Sequence, residues 1–202
     1  QYEPEFVKNY EVSYKGAFEN GLSFSSNVFY LDWKDQQVLE QALGSPFTRT
    51  VNAGKSTVYG GELELAWRNT QWDTYATFGY NHSEFDEFVS SGNDLSGNAF
   101  PSSPSVTAAV GGFYSIDKWV YGAEVNYRDG NYTSVDNAFE TDSLTLVDLS
   151  VSYEFERFTV RGFVNNAFDE IIQVNETFVI EGIPHGNFTA PRTIGLQVMF
   201  GY

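Results

Sequence analysis

The chain has 202 residues, 2 histidines and no cysteine, so thiolate, disulfide and thiol-redox chemistry have no residue to use. His82 follows Asn81 at the end of an alternating segment, and His185 lies between Pro184 and Gly186 in a long polar stretch. Imidazole ligand pairs recur at short local spacings, and these two are far apart, so each is read as a surface residue. Serines are plentiful, yet none sits in a nucleophile-elbow pattern, and no catalytic residue is expected. Oxygen donors gather in Phe85-Asp86-Glu87 and Asn93-Asp94-Leu95-Ser96-Gly97-Asn98, where a hard cation such as Ca2+ would be chemically at home. Their spacing departs from the EF-hand loop, and a solvated acidic loop is the preferred reading; neither a metal nor a cofactor is expected.

The formal net charge is -16, which opposes nucleic-acid binding, because that affinity comes from Lys and Arg displacing counterions from phosphates. At 42% hydrophobic and 19% charged the chain is too apolar to stay disordered. No window approaches the ~18 apolar residues of a membrane helix. That excludes spanning helices and leaves membranes open. The aromatic share, 17%, is high, and amphipathic rings collect at interfaces.

What must position these residues is strand. Period-two alternation recurs throughout, in segments of about ten residues, the pattern of a transmembrane β-strand. Leu196, Val198, Phe200 and Tyr202 oppose Gly195, Gln197, Met199 and Gly201. Val147, Leu149, Val151, Tyr153 and Phe155 oppose Asp148, Ser150, Ser152 and Glu154. Similar faces run through Trp119 to Arg128, Tyr59 to Arg68 and Trp72 to Asn81. Weaker versions cover Tyr10 to Phe18, Leu22 to Trp33, Val106 to Ile116 and Phe158 to Phe168, which makes nine expected strands.

The connections alternate in length. Glu19-Asn20-Gly21, Asn69-Thr70, Ile116-Asp117-Lys118 and Glu156-Arg157 are tight turns. Asp35 to Ser56, Phe85 to Ser103, Asp129 to Thr141 and Asp169 to Ala190 are expected as long loops. Short turns on one rim and long loops on the other is the plan of an outer-membrane barrel. Aromatics on the apolar faces fall toward both strand ends, with Trp67, Trp72, Trp119 and Tyr202 near the turns and Tyr30, Tyr59, Tyr80 and Tyr127 near the loops. Two interfacial girdles require that arrangement, whereas a soluble antiparallel barrel, the alternative, does not. Single-chain bacterial barrels have even strand numbers, so nine strands, and a start at Gln1, lead us to expect a piece of something longer.

Short motifs carry a resemblance. Glu3-Pro4-Glu5 followed by Asn9-Tyr10-Glu11-Val12 and Tyr14-Lys15-Gly16, Asn27-Val28-Phe29-Tyr30, and Asn52-Ala53-Gly54-Lys55-Ser56 leading to Tyr59-Gly60-Gly61-Glu62-Leu63-Glu64 resemble TonB-dependent outer-membrane receptors. So do Val164-Asn165-Asn166-Ala167-Phe168-Asp169 and the closing Ala190-Pro191-Arg192-Thr193 through Phe200-Gly201-Tyr202. The resemblance implies an all-β transmembrane barrel of about twenty-two strands around an N-terminal plug, the wide plugged class. This chain would be its last nine or so strands, 1–202 being C-terminal barrel, with the plug and the TonB-contacting segment absent.

The resemblance also implies active uptake of a scarce nutrient across the outer membrane, with a ferric siderophore as the default cargo. Cobalamin, haem or an oligosaccharide stay open, as does a passive pore. Ligand contacts are expected on the loops, at Phe47, Arg49, Phe88, Phe100, Tyr132, Phe139, Phe178, His185 and Phe188. Contacts to the plug are expected from the lumen-facing Lys15, Glu62, Glu64, Arg128, Glu154 and Arg161, since charges at membrane depth need partners or water. Implied partners are the TonB complex, the protein's own plug, the nutrient, and outer-membrane lipid with lipopolysaccharide.

Overall fold

In a computed structural model, the structure describes residues 2–41, 48–174, 178–180 and 183–201, with backbone alone at 40, 41, 48, 178–180 and 183–185. Nine strands form one antiparallel meander in chain order: β1 (Phe6–Ala17), β2 (Leu22–Gln41), β3 (Thr48–Arg68), β4 (Trp72–Glu87), β7 (Val106–Ile116), β8 (Trp119–Arg128), β9 (Leu144–Glu154), β10 (Phe158–Asn165) and β13 (Thr193–Phe200). Two small hairpins lie in the long connections: β5 (Val89–Ser90) with β6 (Asn93–Asp94), and β11 (Phe178–Ile180) with β12 (Ile183–His185). The nine strands match those expected from alternation. They form an open segment of barrel wall, with no helix among the described residues.

Antiparallel pairing puts directly opposed residues on one face, so the register sorts the side chains. Val12↔Val28, Tyr30↔Tyr59, Leu63↔Phe78, Ala76↔Val110, Val125↔Val147 and Val160↔Val198 all lie on one side. Ser13↔Asn27, Ser25↔Glu64, Glu124↔Asp148 and Arg161↔Gln197 lie on the other. The first face is exposed and apolar across the whole sheet, with Val28 58%, Phe78 47%, Val110 55% and Leu196 74% exposed. In water such a surface would cost far more than a lone exposed residue; lipid removes that cost.

The tight turns have local causes. Gly21 adopts φ +83, and a Cβ there would sit 1.9 Å from the Arg68 carbonyl oxygen, so only glycine fits. Asn69 caps its turn by accepting the backbone N–H groups of Gln71 and Trp72, each at 2.8 Å. Arg68 closes the same rim on Asp73 at 2.6 Å.

One expected boundary differs. The stretch 35–56 is largely strand, with β2 and β3 paired from Gln36↔Ala53 up to Gln41↔Thr48 beyond the kink at Asp35, where φ is 55. Ladder hydrogen bonds do not depend on side-chain type, and a hairpin standing in water needs no apolar face. Its polar residues therefore concealed it from a pattern-based reading.

Candidate functional site

Three surfaces are built by this frame. The first is the lumen wall. Lys15, Glu62, Glu64, Arg128, Glu154 and Arg161 all occupy the polar face, opposite Ser25, Asn27, Ser25, Thr107, Thr159 and Ser152 respectively. Among the described residues, Lys15, Glu62, Glu64, Glu154 and Arg161 make no ion pair and no side-chain hydrogen bond. Arg128 donates from Nη1 to Asn131 Oδ1 at 3.2 Å, while its Nε and Nη2 are buried without a partner. Leaving buried N–H groups unpaired is costly, so this guanidinium is prepared for an oxygen acceptor.

Sequence reasoning did not single out a second lumen cluster. Glu124 on β8 lies directly across from Asp148 on β9. The Tyr75 hydroxyl and Asn126 Nδ2 both donate to Glu124, the latter at 2.6 Å, and the Asn166 backbone N–H donates to Asp148 at 2.8 Å. These bonds hold two like charges opposite one another, an arrangement otherwise disfavoured. A cleft of about 100 Å3 opens there, lined by Gly112, Gly122, Glu124, Asp148, Ser150 and Arg161. Each of these residues fitted the polar half of an alternating strand; only the register made Glu124 and Asp148 neighbours.

Three phenylalanine rings on this wall share one arrangement. Phe29, Phe113 and Phe163 lie opposite Gly60, Gly122 and Gly195, and a Cβ on those glycines would stand 2.8, 2.8 and 2.3 Å from the ring. Each ring lies flat over the missing side chain, which keeps bulky apolar groups low against the wall.

The second surface is a loop layer above the longer strands. Val38, Ala53, Phe85, Phe88 and Val135 form the buried apolar cluster of the described chain, with Val51, Leu95 and Phe100 against it. The Phe85 ring centre lies 4.9 Å from Phe88 and 4.6 Å from Phe100. Loops 85–103 and 129–141 are stitched together: Asn98 Nδ2 donates to the Val135 carbonyl at 2.9 Å, the Ala99 N–H to Asn137 Oδ1 at 2.8 Å, and the Ser102 N–H to the Tyr132 carbonyl at 2.7 Å. Arg49 Nη2 donates to Ser91 Oγ at 2.9 Å, tying the β2–β3 extension to the same layer.

This placement sorts the expected loop contacts. Phe88, 1% exposed, offers no surface to a ligand, and Phe100 packs against the same cluster; these two serve the layer's own core. A run of polar loop residues gave no sign that the layer has a core. Tyr132 and Phe139 are half-buried on the 129–141 loop, and Phe188 is 61% exposed. Phe178 and His185 face each other as backbone partners in the β11–β12 hairpin. Phe47 lies outside the described residues. The acidic loop's carboxylates are engaged locally: Asp86 accepts Thr57 Oγ1 at 2.7 Å, and hydrogen bonds from Ser96 hold the Asp94 carboxyl below its ordinary pKa.

The third surface is the outward face, with a ring row at each end. Near the loops Tyr10 and Tyr30 are 6.5 Å apart, and Tyr59 stacks on His82 at 4.8 Å, with His82 Nε2 3.3 Å from Glu84; Tyr80 and Tyr127 share this face. Near the turns the chain of rings Trp119, Tyr153, Phe155, Phe158 runs at 4.8, 4.7 and 4.5 Å, joined by Trp72 on Tyr114 at 4.6 Å and by Trp67 on β3. Tyr202 lies outside the described residues. Eight residue steps separate Tyr59 from Trp67. At ~3.3 Å per residue and a tilt of ~40°, the rows stand roughly 20 Å apart, close to the ~25 Å apolar band of outer-membrane barrels.

A family model described as TonB dependent receptor-like, beta-barrel, matches residues 1–167. The chain belongs to the TonB-dependent receptor family. Its fold is similar to the ferric yersiniabactin uptake receptor FyuA from Yersinia pestis, with a TM-score of 0.82 and 23% identity over 97% of this chain and 30% of that one. It is similar also to the siderophore receptor PiuA from Acinetobacter baumannii, at 0.79 and 22% identity over 97% of this chain and 28% of that one. The copper transporter OprC gives 0.77 at 16% identity over 99% and 32%. The chain thus spans about a third or less of the length of these structures. As a TonB-dependent receptor barrel it resides in the bacterial outer membrane, which places the ring rows at the two lipid–water interfaces and the loop layer outside the cell.

Proposed function

We propose that this chain is the C-terminal barrel portion of a TonB-dependent receptor that captures a ferric siderophore at the cell surface and imports it. The observation that carries the reading is the lumen wall. Open carboxylates at Glu62, Glu64 and Glu154, the Glu124–Asp148 pair, and Arg128 with two buried unpaired N–H groups form a surface that calls for a charged partner inside the barrel. A plug domain, with arginines for the acids and a carboxylate for Arg128, is that partner. TonB would act on the plug from the periplasmic side. Siderophore as cargo is favoured by the receptors for ferric yersiniabactin and for siderophores among the similar structures, with the copper transporter as the reminder that metal cargo varies.

Ligand would meet the exposed parts of the loop layer, Tyr132, Phe139 and Phe188, along with Arg49. Accumulation of labelled ferric siderophore by cells with and without the gene tests the cargo; equal accumulation refutes it. Conductance of the full-length receptor in planar bilayers tests the plug. The native receptor should be nearly closed, with Glu62→Gln/Glu64→Gln raising open events; an open native pore refutes the plug reading.

A further inference from the structure

Arg128, the last residue of β8, stands on the lumen face at its extracellular end, next in the chain to Tyr127 of the loop-side ring row. Its Nη1 donates to Asn131 Oδ1 at 3.2 Å, while Nε and Nη2 are buried with no partner among the described residues. Those two nitrogens share one edge of the guanidinium and point N–H groups the same way, the geometry that grips a carboxylate with two bonds. Arg68 shows the same edge filled: its Nε and Nη2 both donate to Asp73, at 3.0 and 2.6 Å. No acid of the described wall fills it at Arg128. Asp129 lies on the other side with Tyr127, its Oδ1 accepting the Tyr127 hydroxyl and the Gly130 N–H. Glu140 is exposed, and Glu62 is three strands away along the same row, past Gly79 and Thr107, roughly 14 Å at ~4.8 Å per strand.

The occupied side of Arg128 leads into the loop layer. Asn131 and Thr141 are both buried and are tied twice, the Asn131 N–H donating to Thr141 Oγ1 at 3.1 Å and the Thr141 N–H to the Asn131 carbonyl at 2.9 Å. Asn131 Nδ2 donates to the Tyr132 carbonyl, which also takes the Ser102 N–H from the neighbouring loop. One side of the guanidinium thus holds the foot of the 129–141 loop and, through it, the 85–103 loop. The other side is covered by this chain's own atoms and has two donors with nothing to bond. Left empty, such an edge weakens the fold around it; filled by a carboxylate, it gives two charge-assisted hydrogen bonds shielded from water.

We propose that Arg128 latches the extracellular loop layer to the plug: an aspartate or glutamate of the plug takes the Nε–Nη2 edge, and the layer is held closed while that contact lasts. This rests on the reading of the chain as a plugged receptor barrel. Because the edge is covered, the foot of the 129–141 loop must shift to admit the carboxylate, and because one planar group makes both contacts, plug and layer bias each other. A plug drawn away from the upper wall leaves a buried charge unpaired at the foot of the loop and loosens the layer; a disturbed layer in turn weakens the hold on the plug.

The test is hydrogen exchange with mass spectrometry on the full-length receptor in mild detergent, with barrel folding checked by heat-modifiable gel migration. Arg128→Met should speed exchange about ten- to a hundredfold in peptides covering 129–141 and 85–103, the factor carried by loss of a charged hydrogen bond, and also in one plug peptide that contains an Asp or Glu. Arg128→Lys should do the same, since an ammonium has no planar fork with which to hold Asn131 and a carboxylate together. Peptides covering 59–67 should keep the native rate. Faster exchange in the loops with no change in the plug overturns the proposal, because a strut confined to the loops behaves that way. So does unchanged or slower exchange in the loops, the result expected when a buried charge without a partner gives way to an apolar group. Native rates in Arg128→Lys overturn it as well, since a point charge would then suffice; if Arg128→Met does not fold, Arg128→Lys alone decides. Conductance in planar bilayers separates the latch from the reading beneath it. A native receptor that is nearly closed, with loops indifferent to Arg128→Met, refutes the latch alone, whereas an openly conducting native receptor refutes the plug and the latch with it.

Discussion

Replacing Phe85 by alanine should open the extracellular loop layer and leave the membrane wall intact. Phe85 is 0% exposed and its ring touches those of Phe88 and Phe100. Truncating a buried phenylalanine costs about 3–5 kcal/mol, which includes the cavity left behind. Among the described residues the cluster holds five buried apolar side chains, so its local stability is a small fraction of the barrel's and the loss falls on the layer itself. At about 1.4 kcal/mol per decade, the opening equilibrium should rise by roughly two to three and a half orders of magnitude. Hydrogen exchange with mass spectrometry on the full-length receptor reads this directly. Peptides covering 48–56, 85–103 and 129–141 should lose protection together, because Val38, Ala53 and Val135 share the cluster and Asn98 and Asn137 bridge the loops. Peptides covering 59–67 and 119–127 should not change. Phe85→Leu, which keeps most of the volume, should cost less than about 1.5 kcal/mol. Loss confined to 85–103, or spread evenly over the whole chain, would refute the shared-core account.

Other consequences follow from the two faces, the turns and the loop carboxylate. Leu63→Arg puts a charge on the lipid face midway between the ring rows and should destabilise the barrel by about 2–4 kcal/mol, seen as a lower urea midpoint in lipid; Glu62→Gln, one residue away in the lumen, should leave that midpoint nearly unchanged. Gly21→Ala meets both a positive φ and the Arg68 carbonyl, and should lower the same midpoint by an equivalent of about 1–3 kcal/mol. Because Asp94 has a depressed pKa, its contribution is present above the ordinary aspartate value near ~3.9 and is lost as pH falls through the lower folded value. Amide exchange at Ser96 should therefore speed up on acidification below that range. Asp94→Asn should remove the pH dependence, and a response centred at neutral pH would contradict the assignment.

Much of this protein was legible in its residues because a membrane wall imposes a period of two. Lipid demands apolar side chains at every second position, water in the lumen tolerates Glu62, Glu64 and Arg161 between them, and the interfaces select tyrosine and tryptophan at the ends. Strand number, the sorting of the two faces and the ring rows therefore came from local pattern alone. That pattern does not specify which strand position stands beside which. The Glu124–Asp148 pair and the rings laid over Gly60, Gly122 and Gly195 both depend on register across strands. The loop layer lay further out of reach. Above the membrane no lipid enforces alternation, so the β2–β3 extension read as a loop and Phe88 as a ligand contact. Burial there is decided by which loops meet, and Phe85 and Phe88 are far in sequence from Val38, Ala53 and Val135 until the strands below bring their segments together.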